Sequence, residues 1–247
     1  MIKALIYKLL NSTFHDFTVE LFNIVKNKKE IIIFDIGCYK GTFFNIFYES
    51  KKLEDIKKKI YIFDPNPRVK KYLEKFIKKK NIFFENKAVG SKNKIITFNL
   101  NESFESSGSS ITNIFMRDKK WVFTRDLFLK FFFQNTEGFK KIKTSSITLD
   151  SYVKKKNIKK IDILKIDVEA AELEVLKGMS SCLKKNLIKA IQIEITDKKN
   201  SFLKKENKIK KILLKNNFIF VGRKNLSSVS ILSNIRSTES LYINKRN

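Results

Sequence analysis

Two short apolar runs, Ile31 to Asp35 and Lys59 to Asp64, each close on an aspartate and each lead into a helical stretch. Short apolar runs of this kind are buried on both faces, as a parallel strand is when helices cover it. After the second run, Val69, Tyr72, Leu73, Phe76 and Ile77 fall at i, i+3, i+4, i+7 and i+8, one apolar face of a helix. Pro67 suits its first turn and Asn66 its N-cap. Phe43 to Tyr48 reads as the helix between the two runs. Further strands are expected at Ile82 to Val89, closed by Gly90, and at Ile95 to Leu100. Next come a helix at Leu149 to Lys156, a strand at Ile161 to Asp167, a helix at Glu169 to Lys177 and a strand at Ala190 to Ile195. Gly178 is placed as the C-cap of that second helix. Ile209, Ile212 and Leu213 mark another helix, and Phe218 to Val221 and Leu241 to Asn244 read as closing strands. Such alternation implies an α/β fold: a mostly parallel sheet with helices on both faces, and ligands beyond the carboxyl ends of its strands.

Residues 101 to 140 interrupt the rhythm with Ser106-Ser107-Gly108-Ser109-Ser110 and an aromatic block of Trp121, Phe123, Phe128, Phe131, Phe132, Phe133 and Phe139. This reads as an aromatic-rich insertion in a domain spanning residues 30 to 247, preceded by an N-terminal helical extension over residues 1 to 29. The aromatics either pack locally or form a lid. At 247 residues, 43% of them apolar, the chain can bury one sizeable core. No run approaches the roughly 20 apolar residues of a membrane helix. Lysines interrupt the first ten residues, so a signal peptide fits poorly and an amphipathic helix fits better. Cys38 and Cys182 form neither a disulfide framework nor, with the lone His15, a metal-ligand cluster, and they suit a reducing cytoplasm.

A net charge of +27 would ordinarily suggest a polyanionic partner. Only six of the 52 cations are arginines, however, and arginine is the usual reader of phosphates and bases. The lysines are scattered through every loop, which argues against nucleic acid while allowing peripheral contact with an acidic membrane surface.

The strand ends carry the candidate chemistry. Asp35-Ile36-Gly37-Cys38-Tyr39-Lys40-Gly41 is a strand-to-helix turn whose acid precedes its glycines, unlike the G-x-G-x-x-G of dinucleotide sites. Glycine permits positive φ and close ligand approach, and Asp35 either holds a ligand's ammonium group or caps the loop. Asp64 stands 27 positions after Gly37, at the end of the second strand, where doubly wound folds bind ribose hydroxyls. Otherwise Asp64 and Asn66 only shape the turn into the next helix. Asn86 and the small Ala88 offer an edge donor and space for adenine. Together these features describe a nucleoside with an amino-acid tail, S-adenosylmethionine. The fourth end, Lys165-Ile166-Asp167-Val168-Glu169, places Lys165, Asp167 or Glu169 beside the reacting group, or else Asp167 caps a helix whose first turn holds Glu169 and Glu172. Glu194, at the end of the fifth strand, is a second candidate base or a solvated acid.

The order of Phe34-Asp35-Ile36-Gly37 with Gly41, Phe63-Asp64-Pro65-Asn66-Pro67, Asn86 with Ala88-Val89-Gly90, Ser107 to Ser110, Ile147-Thr148-Leu149-Asp150 and Leu164-Lys165-Ile166-Asp167-Val168-Glu169 with Glu172 resembles FkbM-type methyltransferases over residues 30 to 245. The resemblance implies a Rossmann-like methyltransferase fold, S-adenosylmethionine as cofactor, and O-methylation of a hydroxyl on a sugar, cell-surface glycan precursor or other small molecule. Cys38 and Tyr39 replace the small residue and Asn common in the first loop, and Ala170 replaces the Gly common after Val-Glu. These changes narrow both loops. A nucleic-acid methyltransferase would show an Asp/Asn-Pro-Pro-aromatic motif after the fourth strand, and a nicotinamide dehydrogenase the tighter glycine fingerprint. A non-catalytic nucleotide- or glycan-binding protein of this fold would bind its ligand without methyl turnover.

Overall fold

The computed structural model describes residues 17–101, 109–112, 114–119, 122–123, 138–226 and 234–246. The amphipathic helix expected at residues 1–10, His15, Ser106 to Gly108, Trp121, Phe128 and Phe131 to Phe133 lie outside the described residues. Of the aromatic block, Phe123 is exposed and Phe139 packs near Ile114 and Ile235.

The first elements among the described residues are α1 (Thr18–Val25), β1 (Glu30–Ile36), α2 (Thr42–Tyr48), a 3-10 turn (Lys51–Leu53), β2 (Lys57–Phe63), α3 (Val69–Ile77) and β3 (Ile82–Glu85). It continues through β4 (Ala88–Val89), β5 (Lys94–Asn101), α4 (Ile114–Arg117), β6 (Phe139–Ile147) and α5 (Leu149–Lys155). The last part contains β7 (Ile161–Ile166), α6 (Glu172–Lys177), α7 (Ser180–Lys184), β8 (Ile188–Lys198), α8 (Lys199–Lys215), β9 (Phe218–Asn225) and β10 (Ile235–Asn244). Seven strands form the main sheet in the order β3-β2-β1-β7-β8-β10-β9, and β4-β6-β5 form a small second sheet. Within the main sheet the pairings along β3-β2-β1-β7-β8 are parallel, whereas β10 runs antiparallel to both β8 and β9. Strand order reverses between β1 and β7, and a crevice opens at such a reversal beyond the strands' carboxyl ends.

Alternation along the strands builds a core on each face of the sheet. On one face Phe34 and Phe63 pack on Tyr152 of α5, in the same core cluster as Ile166 and Ile193 and as Phe202, Ile209 and Leu213 of α8. On the other, Ile33, Ile62 and Ile163 meet Leu21 of α1, Phe44 of α2 and Leu73 of α3. Each of these buried side chains contributes about 1.5–3 kcal/mol. Because successive residues point to opposite faces, Asp35 follows Ile33 onto the second face.

Several boundaries differ from those expected. The strand foreseen at Ile82 to Val89 divides into β3 and β4, which belong to different sheets. The helix after β2 starts at Val69, beyond Pro67: Asn66 Oδ1 accepts the Arg68 amide at 2.9 Å, a local turn that holds Asn66 outside the helix. Glu169 and Ala170 have φ of 49° and 78°, so α6 cannot begin until Glu172 and Asp167 is not its cap. β8 extends to Lys198, which leaves Glu194 buried inside the strand rather than solvated at its end. β6 is not legible in the sequence, because its lysines face outward and leave Ser146 as its one buried residue. Gly178 does follow α6, but with φ of −76°; its requirement for glycine comes from the Gly90 carbonyl, which an added Cβ would meet at 1.9 Å.

Candidate functional site

The turn after β1 is shaped by backbone that an ordinary side chain would obstruct. Gly37 has φ of +82°, and a Cβ there would lie 1.7 Å from the Asp167 carbonyl oxygen. Its amide donates to Phe63 O at 2.8 Å, and the Asp167 amide donates to Ile36 O at 2.8 Å, so the ends of β1, β2 and β7 are drawn together. Gly41 has φ of +76° and leads into α2. Asp35 is 1% exposed. Burial pushes its carboxyl up to about 7, against the opposing pull of Lys165 and with further upward pressure from Asp167. The Phe44 backbone amide bonds this carboxylate, yet Oδ2 has no hydrogen-bond partner. A buried acceptor left in this state is costly unless a ligand completes it.

Asp64 sits just beyond β2 and closes the opposite side of the turn. Its Oδ2 accepts the Tyr39 amide at 3.0 Å and its Oδ1 the Asn66 amide at 2.9 Å. Burial raises its pKa to about 6, although both amide bonds oppose the shift. Asn86 Nδ2 donates to the Asp64 and Asn66 carbonyls at 2.7 and 3.2 Å, so this side chain braces the loop. Ala88 is buried two residues later, paired with Ser146 in the small sheet. The backbone-bonding role foreseen for Asp64 and Asn66 is therefore present, and each Asp64 oxygen retains acceptor capacity.

Across the switch point lies a buried charge cluster. Lys165 bonds Glu239 and stands 3.8 Å from Asp167 Oδ2. Burial works against its charge, but Glu239, Asp167 and Glu194 outweigh that and hold the ammonium above its usual range. Desolvation raises the Asp167 carboxyl, with Lys165 opposing, and Glu194 lies within hydrogen-bonding reach. Glu194 is pushed well upward by burial, then by Asp167 and Glu169, while Ser237 Oγ donates to its Oε1 at 2.7 Å. Glu239 escapes sequence reasoning because the last strand reads as beginning at Leu241. Its direct register with Glu194 across β8 and β10 places both acids on one side of the sheet.

The turn carrying Asp167 and Glu169 is held from below. Glu172 Oε1 accepts the Ala170 amide at 2.9 Å, and Lys205 bonds Glu172 and the Ala170 carbonyl. Ser110 and Thr112 hydroxyls donate to the Glu169 carbonyl. Asp35, Gly37, Asp64, Asn66, Asn86, Lys165, Asp167 and Glu169 thus gather at adjacent strand ends, with Gly41 and Ala88 at the margins.

Residues 35–220 match the Methyltransferase FkbM domain. The chain belongs to this family. The cofactor of this methyltransferase family is S-adenosylmethionine, and its Rossmann-like fold is the one described above. Solved structures of similar fold include the FkbM methyltransferase of Methylobacillus flagellatus KT, at 11% identity and TM-score 0.49, covering 86% of this chain and 44% of that one. The chain therefore spans less than half the length of that protein. Magnesium protoporphyrin IX methyltransferase from Synechocystis PCC 6803 with bound SAH gives 12% identity and TM-score 0.48, over 96% of this chain and 84% of that one. Aeropyrum pernix fibrillarin with natively bound S-adenosyl-L-methionine gives 12% and 0.43, over 88% and 68%. No curated protein sequence matches the chain. Among the described residues of this FkbM domain, no helix is long and apolar enough to cross a membrane.

Proposed function

We propose that this FkbM domain is an S-adenosylmethionine-dependent O-methyltransferase whose acceptor is a hydroxyl of a sugar or cell-surface glycan precursor. The observation that carries the reading is the buried Asp35 Oδ2 without a partner, beside a turn that Gly37 packs directly against the Asp167 carbonyl. An acceptor of that kind suits the ammonium group of an amino-acid tail. Asp64 would receive ribose hydroxyls, braced by Asn66 and Asn86, and the small Ala88 leaves room near the base. When bound, the cofactor supplies an electrophilic methyl group on its sulfonium.

The protein's part is to hold the hydroxyl in line and to take its proton. Positioning alone can remove about 7–11 kcal/mol of a barrier. An aliphatic hydroxyl is about as weak an acid as water, with pKa about 15.7, so its proton leaves during attack and a carboxylate must stand ready. Asp167 and Glu169 share the turn nearest the switch point, and a base there contributes roughly 10²–10⁴ in rate. Lys165 holds positive charge behind Asp167 and steadies its ionised form.

Calorimetric titration of S-adenosylmethionine, S-adenosylhomocysteine and NAD into wild type and Asp64→Ala, with mass detection of methyl transfer to a sugar panel, tests the reading. Binding of the first two that weakens in the variant supports it; absence of binding to wild type sinks it. Asp167→Asn or Glu169→Gln should lower turnover while leaving cofactor affinity within about threefold. Unchanged turnover in both would remove the base from this turn.

A further inference from the structure

Behind the turn that carries Asp167 and Glu169 lies an open cleft of about 610 Å³. Ala170, Ala171, Leu173 and Ile114 give it an apolar floor, and Arg117, Lys198, Lys204 and Lys208 stand around it. These four cations are exposed, and none has an acidic partner among the described residues. Lys205 differs: it is buried and held by Glu172 and by the carbonyls of Ala170 and Thr196. The two acids of the lining do little to balance the rim, since Glu174 is bonded by Lys177 and Ser91 and Asp197 Oδ1 accepts the Lys198 amide.

Convergent lysines act as point-charge binders of phosphate. The volume falls in the range of small-molecule sites, about 300–1,000 Å³, and none of the lining residues is aromatic, whereas single-stranded nucleic acid is held by stacking platforms. One turn forms a wall of both sites: Ala170 lines the cleft, and Asp167, earlier in the same turn, abuts Gly37. Resting on the methyltransferase reading, we infer that the acceptor is a phosphorylated sugar, its phosphate or diphosphate held by Arg117, Lys198, Lys204 and Lys208 while the sugar hydroxyl reaches over the turn toward Asp167.

The test is calorimetric binding of inorganic pyrophosphate and, separately, of S-adenosylhomocysteine to the full chain and to the variant R117Q/K198Q/K204Q/K208Q. Wild type should bind pyrophosphate in a salt-sensitive manner, and the variant should bind it about tenfold more weakly or worse while S-adenosylhomocysteine affinity stays within about twofold. Equal pyrophosphate binding by both proteins, or none by wild type at low salt, overturns the inference. A short single-stranded RNA that binds more tightly than pyrophosphate and is lost in the variant also overturns it, in favour of nucleic acid. Lys204→Glu alone, on an exposed helix position, gives the same ordering should the fourfold variant fail to fold. Failure of wild type to bind S-adenosylhomocysteine would instead sink the methyltransferase reading and leave the pyrophosphate result standing.

Discussion

The turns after β1 and β7 stand side by side at the switch point and solve the same geometric problem with different residues. Both reverse the chain through left-handed backbone. The first does so with Gly37 and Gly41 flanking Tyr39, at φ of 82°, 76° and 48°. The second uses Glu169 and Ala170, at 49° and 78°, with no glycine. A non-glycine residue in that region costs on the order of 1–2 kcal/mol. The first turn therefore confines its strain to Tyr39, whose amide is bonded by Asp64, whereas the second places two consecutive strained residues that Glu172, Lys205, Ser110 and Thr112 hold in place. One turn uses glycine to draw the ends of β1, β2 and β7 together, the other uses strained residues to fix a carboxylate's position.

The largest effect should come from closing the first turn. Gly37→Ala puts a methyl group against the Asp167 carbonyl and adds left-handed strain, together about 2–5 kcal/mol of lost stability by chemical denaturation. A loss under about 0.5 kcal/mol, the size of an ordinary surface substitution, would mean that the two turns are not in contact. Asp35→Asn should weaken S-adenosylmethionine binding by about 1.5–3 kcal/mol, the range for a charge-assisted bond, while leaving the ligand-free protein as stable or more stable at pH 8. The opposed signs separate a ligand-binding acid from one that merely caps the loop.

A pH series sharpens the same point. Asp35 and Asp64 have folded-state values near 7 and 6, above the ordinary 3.8, so the folded protein holds protons that the unfolded chain has released. Their contribution is complete below about pH 4 and is lost as pH rises through 6 and 7. The ligand-free protein should lose roughly 1–2 kcal/mol per group between about pH 5.5 and 7.5, read by thermal unfolding. Cofactor affinity should move the other way, rising until Asp35 is ionised, and Asp35→Asn should flatten that rise. The smallest effect belongs to the second turn: Ala170→Gly should stabilise by about 1 kcal/mol and lower turnover if the strained turn positions the base.

The first turn is readable because apolar runs on both sides isolate Asp35 and Asp64 as the only acids at their strand ends. Phe34 and Phe63 must be buried, so the next residues must emerge where the strands stop. The second half is harder. β8 and β10 carry Gln192, Glu194, Thr238, Glu239 and Ser240 in their buried interiors, and a strand with polar residues inside looks shorter than it is. Glu239 is hidden for this reason, as is the true position of Glu194. The cations of the cleft are hidden differently: Lys198, Lys204 and Lys208 are three among dozens of lysines, and only folding singles out those that face Arg117. α8 looks shorter than it is for a similar reason, since Lys205 and Glu206 are buried polar residues on its packed face.

The contact between Gly178 and the Gly90 carbonyl bears on how the whole molecule deforms. β4 follows β3 after two residues, and Asn86, one of those two, ties back to the Asp64 and Asn66 carbonyls. Gly90, one residue past β4, abuts Gly178 at the end of α6. The small sheet is thus tied to the loop after β2 through Asn86 and to the end of α6 through Gly90, at the two ends of a span too short to act as a hinge. Thermal breathing of the two sheets is coupled into one stiff frame, and slow amide exchange in β4 should rise and fall with that of β3 rather than on its own schedule.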